Sequence, residues 1–466
     1  MLSHPGFSSS CSAPSPLVHD ASSSSYHYEV GTAVSHLGIS FPITPAHRFP
    51  LHLDPAKAIG DPLADAALAE VLSAPASAPA TAPASRDFHG RIASHAASAP
   101  SSASSLFLSS LSSPPPFPVD WDAVERGQLH FLGRAPAASL ALLHLSLVGG
   151  FSAPNINKVL NSTGYLTHSE PRMVQTRLFE TFVMIMACMN GGRSTFAPNG
   201  DGLNAVTKVR LLHAFVRRSI QRKNSWDSST NGVPINQNHM AVTGLSFSVN
   251  VIWGCDGYGC PMSASEREDY TQLWRVICHY IGVLPEHNPH TSYSSAVTAL
   301  ESLALYCVAP DPSSARASHA VLHGVSQQPP YWSLAFHAAM SRWLMGDELA
   351  DQLALPAPTL YTRLCRRVLL TALSAHFIFF KYVGKERHAV RLGRAMNAEV
   401  NNLLKWGASE SVKFGGIEER EQVGTPPPPP RRRPLFLPAL LVVVGVATTT
   451  TLCLSAKLLR RVPPHS

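Results

Sequence analysis

The spacing of apolar residues predicts helices over most of the central chain. From about residue 119 to residue 414 apolar positions are dense, aromatic residues are frequent, and Gly, Asn and Pro mark the turns. Ser263 and Glu266 have the spacing of a capping box. The residues that follow have the i, i+3, i+4, i+7, i+11 spacing of one helix face: Tyr270, Leu273, Trp274, Ile277 and Ile281. Because strand-like alternation is scarce, we predict an all-α domain at residues 119–415.

The N-terminal part of the chain has a different composition. Residues 72–118 consist mainly of Ala, Ser and Pro. Such a segment buries too little apolar surface to offset the entropy lost on ordering. Residues 26–70 hold a few short patterns, such as 64–72, that are too weak to predict elements. We therefore expect residues 1–118 to form a largely disordered arm.

The C-terminal part of the chain predicts a membrane anchor. Five prolines occupy 426–430 within a linker at 416–434, and the 22 residues 435–456 carry no charge. A helix of that length spans about 33 Å, close to the apolar thickness of a bilayer. Since ten residues follow this span, we expect a tail anchor that leaves the domain in the cytosol, with the endoplasmic reticulum as the favoured membrane. The alternative is that residues 435–456 form an apolar helix in the core of the domain. The shorter apolar run 368–380 is more typical of a buried helix.

Charge and cysteine content narrow the function classes. The chain carries a formal net charge of +7. Six of its basic residues lie in 431–466, which has no Asp or Glu, and subtracting them leaves +1 for the remainder. A nucleic-acid-binding domain carries its basic residues on the folded surface, so we expect no nucleic-acid partner. Among eight scattered cysteines, Cys255 and Cys260 are the one close pair, and a zinc site would need two further ligands.

A predicted helix at 174–189 carries polar residues where apolar ones are expected. Apolar residues surround most of this helix, and Arg177, Thr181, Met184 and Cys188 recur on one side at i, i+4, i+7, i+11. A buried guanidinium needs an anionic partner, because an unpaired buried charge costs several kcal/mol, about 3–5 when one partner of a buried pair is removed. That partner is either a protein carboxylate, such as Glu180 or Glu170, or an anionic cofactor.

A second predicted helix, at 203–220, carries a histidine in its apolar stripe. The 3-4-3-4 spacing that places His213 toward the core is formed with Val206, Val209, Val216 and Ile220. A core histidine is more often a hydrogen-bonded structural residue than a ligand. Neutral imidazole is nevertheless the commonest protein ligand of transition metals, and a histidine is the usual proximal haem ligand. With Arg177 and Thr181, His213 would suit an anionic, iron-containing cofactor between helices, and His239 is the fallback ligand.

These residues belong to a longer set of similarities. In their order and spacing the segments 208–218, 234–237, 245–248, 266–270, 274–275 and 346–351 resemble the ER-bound oxygenase mpaB / rubber oxygenase (latex-clearing protein) family, over roughly residues 120–410. The resemblance implies an all-α, globin-related core that holds haem b. It also implies oxidative cleavage of carbon–carbon double bonds in isoprenoid chains by O2.

The resemblance assigns roles to individual residues. The Arg-x-x-x-Thr signature of the family matches Arg177 and Thr181, and its proximal haem histidine matches His213. One departure is Glu180, which stands where rubber oxygenases have a lysine able to occupy the distal iron position. A glutamate there would leave the distal site open to oxygen or act as a base on an allylic proton.

The sequence therefore predicts a membrane-anchored, haem b-dependent oxygenase that acts with O2 on a hydrophobic isoprenoid or lipid-like substrate. The predicted catalytic residues are Arg177, Glu180 and Thr181, and the predicted cofactor-binding residues are His213, as the iron ligand, and Arg177. The alternative is a family member without catalytic activity that acts as a membrane-tethered interaction protein. The presence of haem separates the two hypotheses.

Overall fold

The domain is helical, as predicted. The computed structural model describes residues 28–73, 88–163, 171–223, 226–327, 331–382, 387, 390–395 and 398. Within these ranges the strands form a single two-stranded hairpin. The helices are α1 (Pro50–Lys57), α2 (Pro62–Ser73), α3 (Phe88–Ser98), α4 (Ala103–Ser112), α5 (Trp121–Gly133), α6 (Ala135–Ala141), α7 (Val148–Gly150), α8 (Pro154–Thr163), α9 (Pro171–Cys188), α10 (Asp201–Arg222), α11 (Ser228–Asn231), α12 (Gln237–Gly257), α13 (Ala264–Tyr280), α14 (Tyr293–Cys307), α15 (Pro312–Ser326), α16 (Leu334–Met345), α17 (Asp347–Gln352) and α18 (Leu360–Tyr382). A π-helical stretch at Leu142–Leu147 joins α6 to α7, and 3-10 turns lie at Gly192–Phe196 and Pro285–His287.

The hairpin is the first described element of the chain. Its strands β1 (Ala33–His36) and β2 (Ile39–Pro42) are antiparallel. Leu37 and Gly38 between them have φ angles of 50° and 84°, as a type I′ turn requires. His36 Nε2 lies 2.8 Å from the backbone carbonyl oxygen that follows α14, and this contact attaches the hairpin to the domain. One small apolar cluster packs the hairpin: Val34, Phe41, Ile43 and Phe49.

Helices α1 to α4 pack against the rest of the domain. This corrects the prediction of a largely disordered arm for residues 28–73 and 88–118, while 1–27 and 74–87 lie outside the described residues. Glu70 accepts hydrogen bonds from the backbone N–H groups of Ala103 and Ser104 at 2.8 and 2.9 Å, so α2 caps α4. Helices α2, α3 and α4 pack through small side chains and a few large apolar ones that are at most 1% exposed: Ala64, Ala67, Leu68, Ile92 and Phe107.

Helix α12 lies in the middle of the domain and packs against α1, α6, α13 and α14. Two of its glycines permit close approach of its neighbours. A Cβ atom on Gly244 would lie 2.5 Å from Cys278 Sγ, and one on Gly254 would lie 2.3 Å from the Cβ of Ala141. Larger residues at these positions would push α13 and α6 away from the core.

Helix α13 begins and packs as its sequence predicts. The Ser263 side chain accepts a hydrogen bond from the Glu266 N–H, and the Glu266 carboxylate accepts one from the Ser263 N–H at 2.7 Å. The capping box is therefore confirmed. The predicted face is buried against α5 and α12: Tyr270, Leu273, Trp274 and Ile277 are at most 2% exposed.

Helix α18 contains the apolar run at 368–380, and only one side of it is buried. Leu369, Leu373 and Phe380 face the core. In the part of the chain that the structure describes, no single helix is both long enough and apolar enough to span a membrane. The helices Trp121–Gly133 and Ala135–Gly150 meet these two criteria only when taken together, and they are bent by 86° relative to each other. The predicted linker and anchor at 416–456 lie outside the described residues.

Two ion pairs join α10 to Asp65 of α2 and to Asp61, the residue just before α2. The Arg210 guanidinium donates to both carboxylate oxygens of Asp61 at 2.5 and 3.0 Å, and both side chains are almost completely buried. Arg217 pairs with Asp65 and also donates to the carbonyl oxygens of Pro234 and Ile235 at 3.1 and 3.0 Å. Since buried guanidinium groups need such partners, α2 is required for α10 to lie in the core.

We expect Asp61→Asn to lower the free energy of unfolding by about 3–5 kcal/mol, because it leaves the Arg210 charge buried without a counter-ion. Asparagine keeps the size of the side chain and can still accept the Ala64 N–H. Chemical denaturation of the two proteins measures the difference.

The matched control is Asp122→Asn, which breaks the ion pair of Asp122 with Arg193. Those two side chains are 72% and 56% exposed, so water screens the pair and little change is expected. Equal effects of the two substitutions would show that α10 does not depend on Asp61.

Candidate active site

Helices α9 and α10, which carry the candidate residues, form a helical hairpin. They are connected by the 3-10 turn at Gly192–Phe196, which Gly191 and Gly192 enter with φ angles of 99° and 65°. Thr195 joins the two helices: its hydroxyl donates to the Ala187 carbonyl oxygen at 2.9 Å and accepts from the Gly202 N–H at 2.9 Å. The turn therefore fixes the end of α9 against the start of α10.

The candidate residues of α9 have different surroundings from those predicted. Arg177 lies in α9, but its side chain is outside the described part of the structure. Glu180 is half-buried and Thr181 is exposed, whereas Met184 and Cys188 are buried. The prediction of a helix buried on nearly all sides therefore fits the C-terminal half of α9 and is wrong at Thr181. The catalytic roles of Arg177, Glu180 and Thr181 stay predictions.

His213 lies on α10 among the predicted apolar residues. Val206, Val216 and Ile220 are buried, and Val209 is partly buried. The His213 side chain is half-buried, and its Nδ1 atom is enclosed without a hydrogen-bond partner in the described structure. Burial lowers the pKa of His213 to about 4, with a further decrease from Arg217 and an opposing effect of Asp61. The imidazole is therefore neutral near pH 7.

His213 lies between the two arginines that bind α2. Arg210 precedes it by three residues and Arg217 follows it by four, so all three share one side of the helix. The Arg210 guanidinium also lies over the Phe107 ring of α4, 5.2 Å from its centroid. The Phe215 ring stacks on Phe88 of α3 with centroids 5.2 Å apart. Helices α2, α3 and α4 thus all contact the helix that carries His213.

The sequence did not reveal the carboxylates of this site. Asp61 and Asp65 lie in the segment predicted to be disordered, about 150 residues from their partners, at separations of 149 and 152 residues. The two arginines themselves indicate that carboxylate partners exist. Arg210 and Arg217 are seven residues apart on a helix otherwise predicted to be buried, so two acidic partners were required from elsewhere in the chain.

The fallback histidine lies in the first turn of α12. His239 is 8% exposed, and its backbone N–H donates to the Asn236 side chain at 3.0 Å. Burial, together with the nearby charge of Lys57, lowers the pKa of His239 to about 4. Its imidazole is neutral at pH 7, like that of His213. Unlike His213, it has no enclosed nitrogen that lacks a partner among the described residues.

A partly open pocket of about 280 Å³ with mixed polar and apolar walls lies elsewhere in the domain, between the ends of α4 and α13 and the start of α5. Its aromatic walls include Phe117, Trp121, Phe196 and Tyr280. None of the candidate residues His213, Glu180 and Thr181 lines it. The pocket is therefore separate from the candidate site.

Comparison with known proteins agrees with the resemblance in the sequence. Residues 121–375 match the sequence model of the family described as ER-bound oxygenase mpaB/B'/Rubber oxygenase, catalytic domain. A rubber oxygenase from Streptomyces sp. (strain K30) is 24% identical over 176 residues, which are 37% of this chain and 43% of that protein. The chain thus aligns with less than half of the Streptomyces protein.

The fold is also that of a solved family structure. A structure of latex clearing protein LCP in the closed state superposes with a TM-score of 0.51 at 17% identity, covering 72% of this chain and 90% of the other. The shared fold is longer than the segment matched by the family model. The chain belongs to the ER-bound oxygenase mpaB/B'/rubber oxygenase family and carries its catalytic domain.

Proposed function

We propose that the protein is a haem b-dependent oxygenase that cleaves or oxidises carbon–carbon double bonds of a hydrophobic isoprenoid or lipid-like substrate with O2. Membership of the oxygenase family supports the reaction class. The observation that carries the haem assignment is the neutral imidazole of His213 with an unpaired Nδ1, a feature that His144 and His337 share in part but that lies here on the helix carrying the family-like segment 208–218. A buried polar group without a partner costs about 1–3 kcal/mol, and a ligand bound to the ring would account for it.

The donor atoms fit haem better than a bare metal ion. In the described residues no group of three or more His, Cys, Asp or Glu side chains is arranged to hold a metal. A protein-bound zinc ion takes three or four such ligands. Haem needs only one axial protein ligand, because the porphyrin supplies the other nitrogens. A single neutral histidine on a helix is therefore the donor set expected for haem.

Bound haem would supply the chemistry of dioxygen, and the side chains on α9 would direct it. His213 would hold the iron, and Arg177 would pair with a propionate or orient the distal side. The Thr181 hydroxyl would orient dioxygen through a hydrogen bond. Glu180, which is half-buried, would accept an allylic proton from the substrate on a carboxylate oxygen.

We expect His213→Leu to raise the free energy of unfolding of the haem-free protein by about 1 kcal/mol, because it removes a buried nitrogen that has no partner. Leucine suits the apolar stripe formed with Val206 and Val216. Denaturation of haem-free samples at pH 7, where the histidine is neutral, measures the change. This readout is independent of activity.

The control for this substitution is His290→Leu. Nε2 of His290 lies 2.8 Å from the Ser248 hydroxyl oxygen, and its Nδ1 lies 3.2 Å from Asn288 Oδ1. The substitution removes two buried hydrogen bonds, each worth about 0.5–1.5 kcal/mol, so we expect a destabilisation of about 1–3 kcal/mol. A loss of stability at both positions would mean that His213 is an ordinary structural histidine.

The function itself is tested by the absorption spectrum and by turnover. We expect the purified protein to contain about one haem b with a strong Soret band, and His213→Ala to remove or shift that band because the iron loses its axial nitrogen. His239→Ala should leave the spectrum intact. A well-folded, colourless protein that hemin cannot reconstitute would favour the membrane-tethered interaction protein instead.

The roles on α9 are tested with the haem-loaded protein. Thr181→Ala should lower oxygen-dependent turnover while leaving the Soret band nearly unchanged. Glu180→Gln keeps the size of the side chain but removes the base, so a large fall in turnover is expected if it accepts a proton. Oxygen consumption and carbonyl products from squalene-like and prenylated substrates provide the assay. Wild-type rates in both variants would refute this site assignment without affecting the haem assignment.

We further propose that residues 435–456 anchor the protein in the endoplasmic reticulum membrane with the catalytic domain in the cytosol. The uncharged segment and the proline spacer before it support this arrangement. Deletion of 431–466 should allow high salt to release the protein from the membrane pellet, which the full chain resists, and should leave the Soret band in place. Aggregation of the truncated protein would show that the segment belongs to the core.

A further inference from the structure

Helix α18 has an apolar face that is exposed to solvent in the described structure. Of the 13 large hydrophobic residues that are exposed there, six lie on α18. They are Leu360, Tyr361, Leu364, Val368, Ile378 and Tyr382, with exposed fractions of 50–85%. Thr371 and Ala375, also exposed, complete a stripe with three- and four-residue spacing from Tyr361 to Tyr382. We call these eight residues the α18 face.

The opposite side of the helix attaches it to the domain. Leu369, Leu373 and Phe380 are at most 9% exposed, and at about 100° per residue they lie roughly 150° around the helix from the α18 face. The Arg366 guanidinium donates to the Ala339 carbonyl oxygen at 3.3 Å and lies 4.3 Å from the Trp343 ring centroid. The helix is therefore held on the core by one side while a second apolar side points away.

The charged residues of α18 itself are all positive. Arg363, Arg367 and Lys381 are exposed along one edge of the α18 face, and α18 contains no Asp or Glu. A second copy of this helix would bring like charges together, which disfavours a dimer through this face. The segment 431–466 carries six basic and no acidic residues, which disfavours it as the covering segment. The face thus matches an occupant that is apolar with negative groups at its surface.

We propose that the α18 face lies on a membrane that contains anionic lipids. An apolar face with a cationic edge is typical of helices that lie in the headgroup region, and Lys and Arg are attracted to anionic headgroups. The 23 residues of α18 extend about 34 Å along the surface. Tyr361 and Tyr382 mark the two ends of the face, and tyrosine is enriched at membrane interfaces. This contact is distinct from the predicted anchor and does not depend on the oxygenase chemistry.

The test uses a photo-crosslinker in the full chain. The full chain carrying p-benzoylphenylalanine in place of Val368 is inserted into phosphatidylcholine vesicles with or without phosphatidylserine. The vesicles are irradiated, and the crosslinked products are identified by mass spectrometry. Val368 is 63% exposed. The control position is Leu106 on α4, which is 60% exposed. We expect lipid adducts at position 368 that increase with phosphatidylserine, and none at position 106.

Each alternative occupant gives a different product. An adduct between two copies of the chain, or with residues 399–466 of the same chain, would overturn the proposal. So would a yield of lipid adduct at position 368 no higher than at position 106. An unchanged thermal transition shows that the labelled protein is folded.

The charged edge is tested separately. The triple variant Arg363→Gln, Arg367→Gln, Lys381→Gln should lose the phosphatidylserine-dependent part of the adduct, because the attraction to anionic headgroups is removed. The matched control is Lys208→Gln, Arg222→Gln, Lys223→Gln, which removes the same charge from exposed positions at α10 and should retain it. An equal loss in both variants would show attraction through net charge alone and would refute docking through this face.

Discussion

The position of α10 depends on the ion pairs that its two buried arginines form with Asp61 and Asp65, at the start of α2. Arg210 is 6% exposed and Arg217 is 1% exposed, and neither guanidinium could be buried at acceptable cost without a counter-ion. Asp61 and Asp65 provide those counter-ions from outside the segment that defines the family. The helix with the candidate haem ligand is thus completed by a part of the chain that carries no family signature. This is consistent with a shared fold that exceeds the family segment.

The same pairs limit the positive charge beside His213. Two unpaired arginines on its side of α10 would disfavour any cation bound there, and the carboxylates offset their charge. Burial therefore has the largest effect on the pKa of His213 and lowers it more than the neighbouring charges do. The imidazole is neutral as a result, which is the form that binds a metal.

Sequence patterns predicted the local structure well and the long-range contacts poorly. The face and capping box of α13 and the apolar stripe of α10 are short-range features, and the structure confirms them. The arm was predicted to be disordered because its composition is poor in large apolar residues. Ala64 and Ala67 are nevertheless fully buried, since small side chains let helices approach closely. Asp61 and Asp65 could not be assigned, because nothing in a sequence specifies which carboxylate meets an arginine about 150 residues away, here at separations of 149 and 152.

Helix α18 shows the limit of the argument from hydrophobicity. Apolar residues on nearly all sides of a helix predict burial, and by that criterion the run 368–380 predicts a buried helix. The structure buries only the side with Leu369 and Leu373, because the helix lies at the surface of the domain. Exposed apolar surface costs about 25 cal/mol per Å² relative to burial. A helix with six large exposed apolar side chains is therefore complete only with a surface that the described residues do not supply. The positive charges of α18 beside that face favour a covering surface with negative groups. The apolar pattern that wrongly predicts burial on all sides thus indicates what the domain contacts.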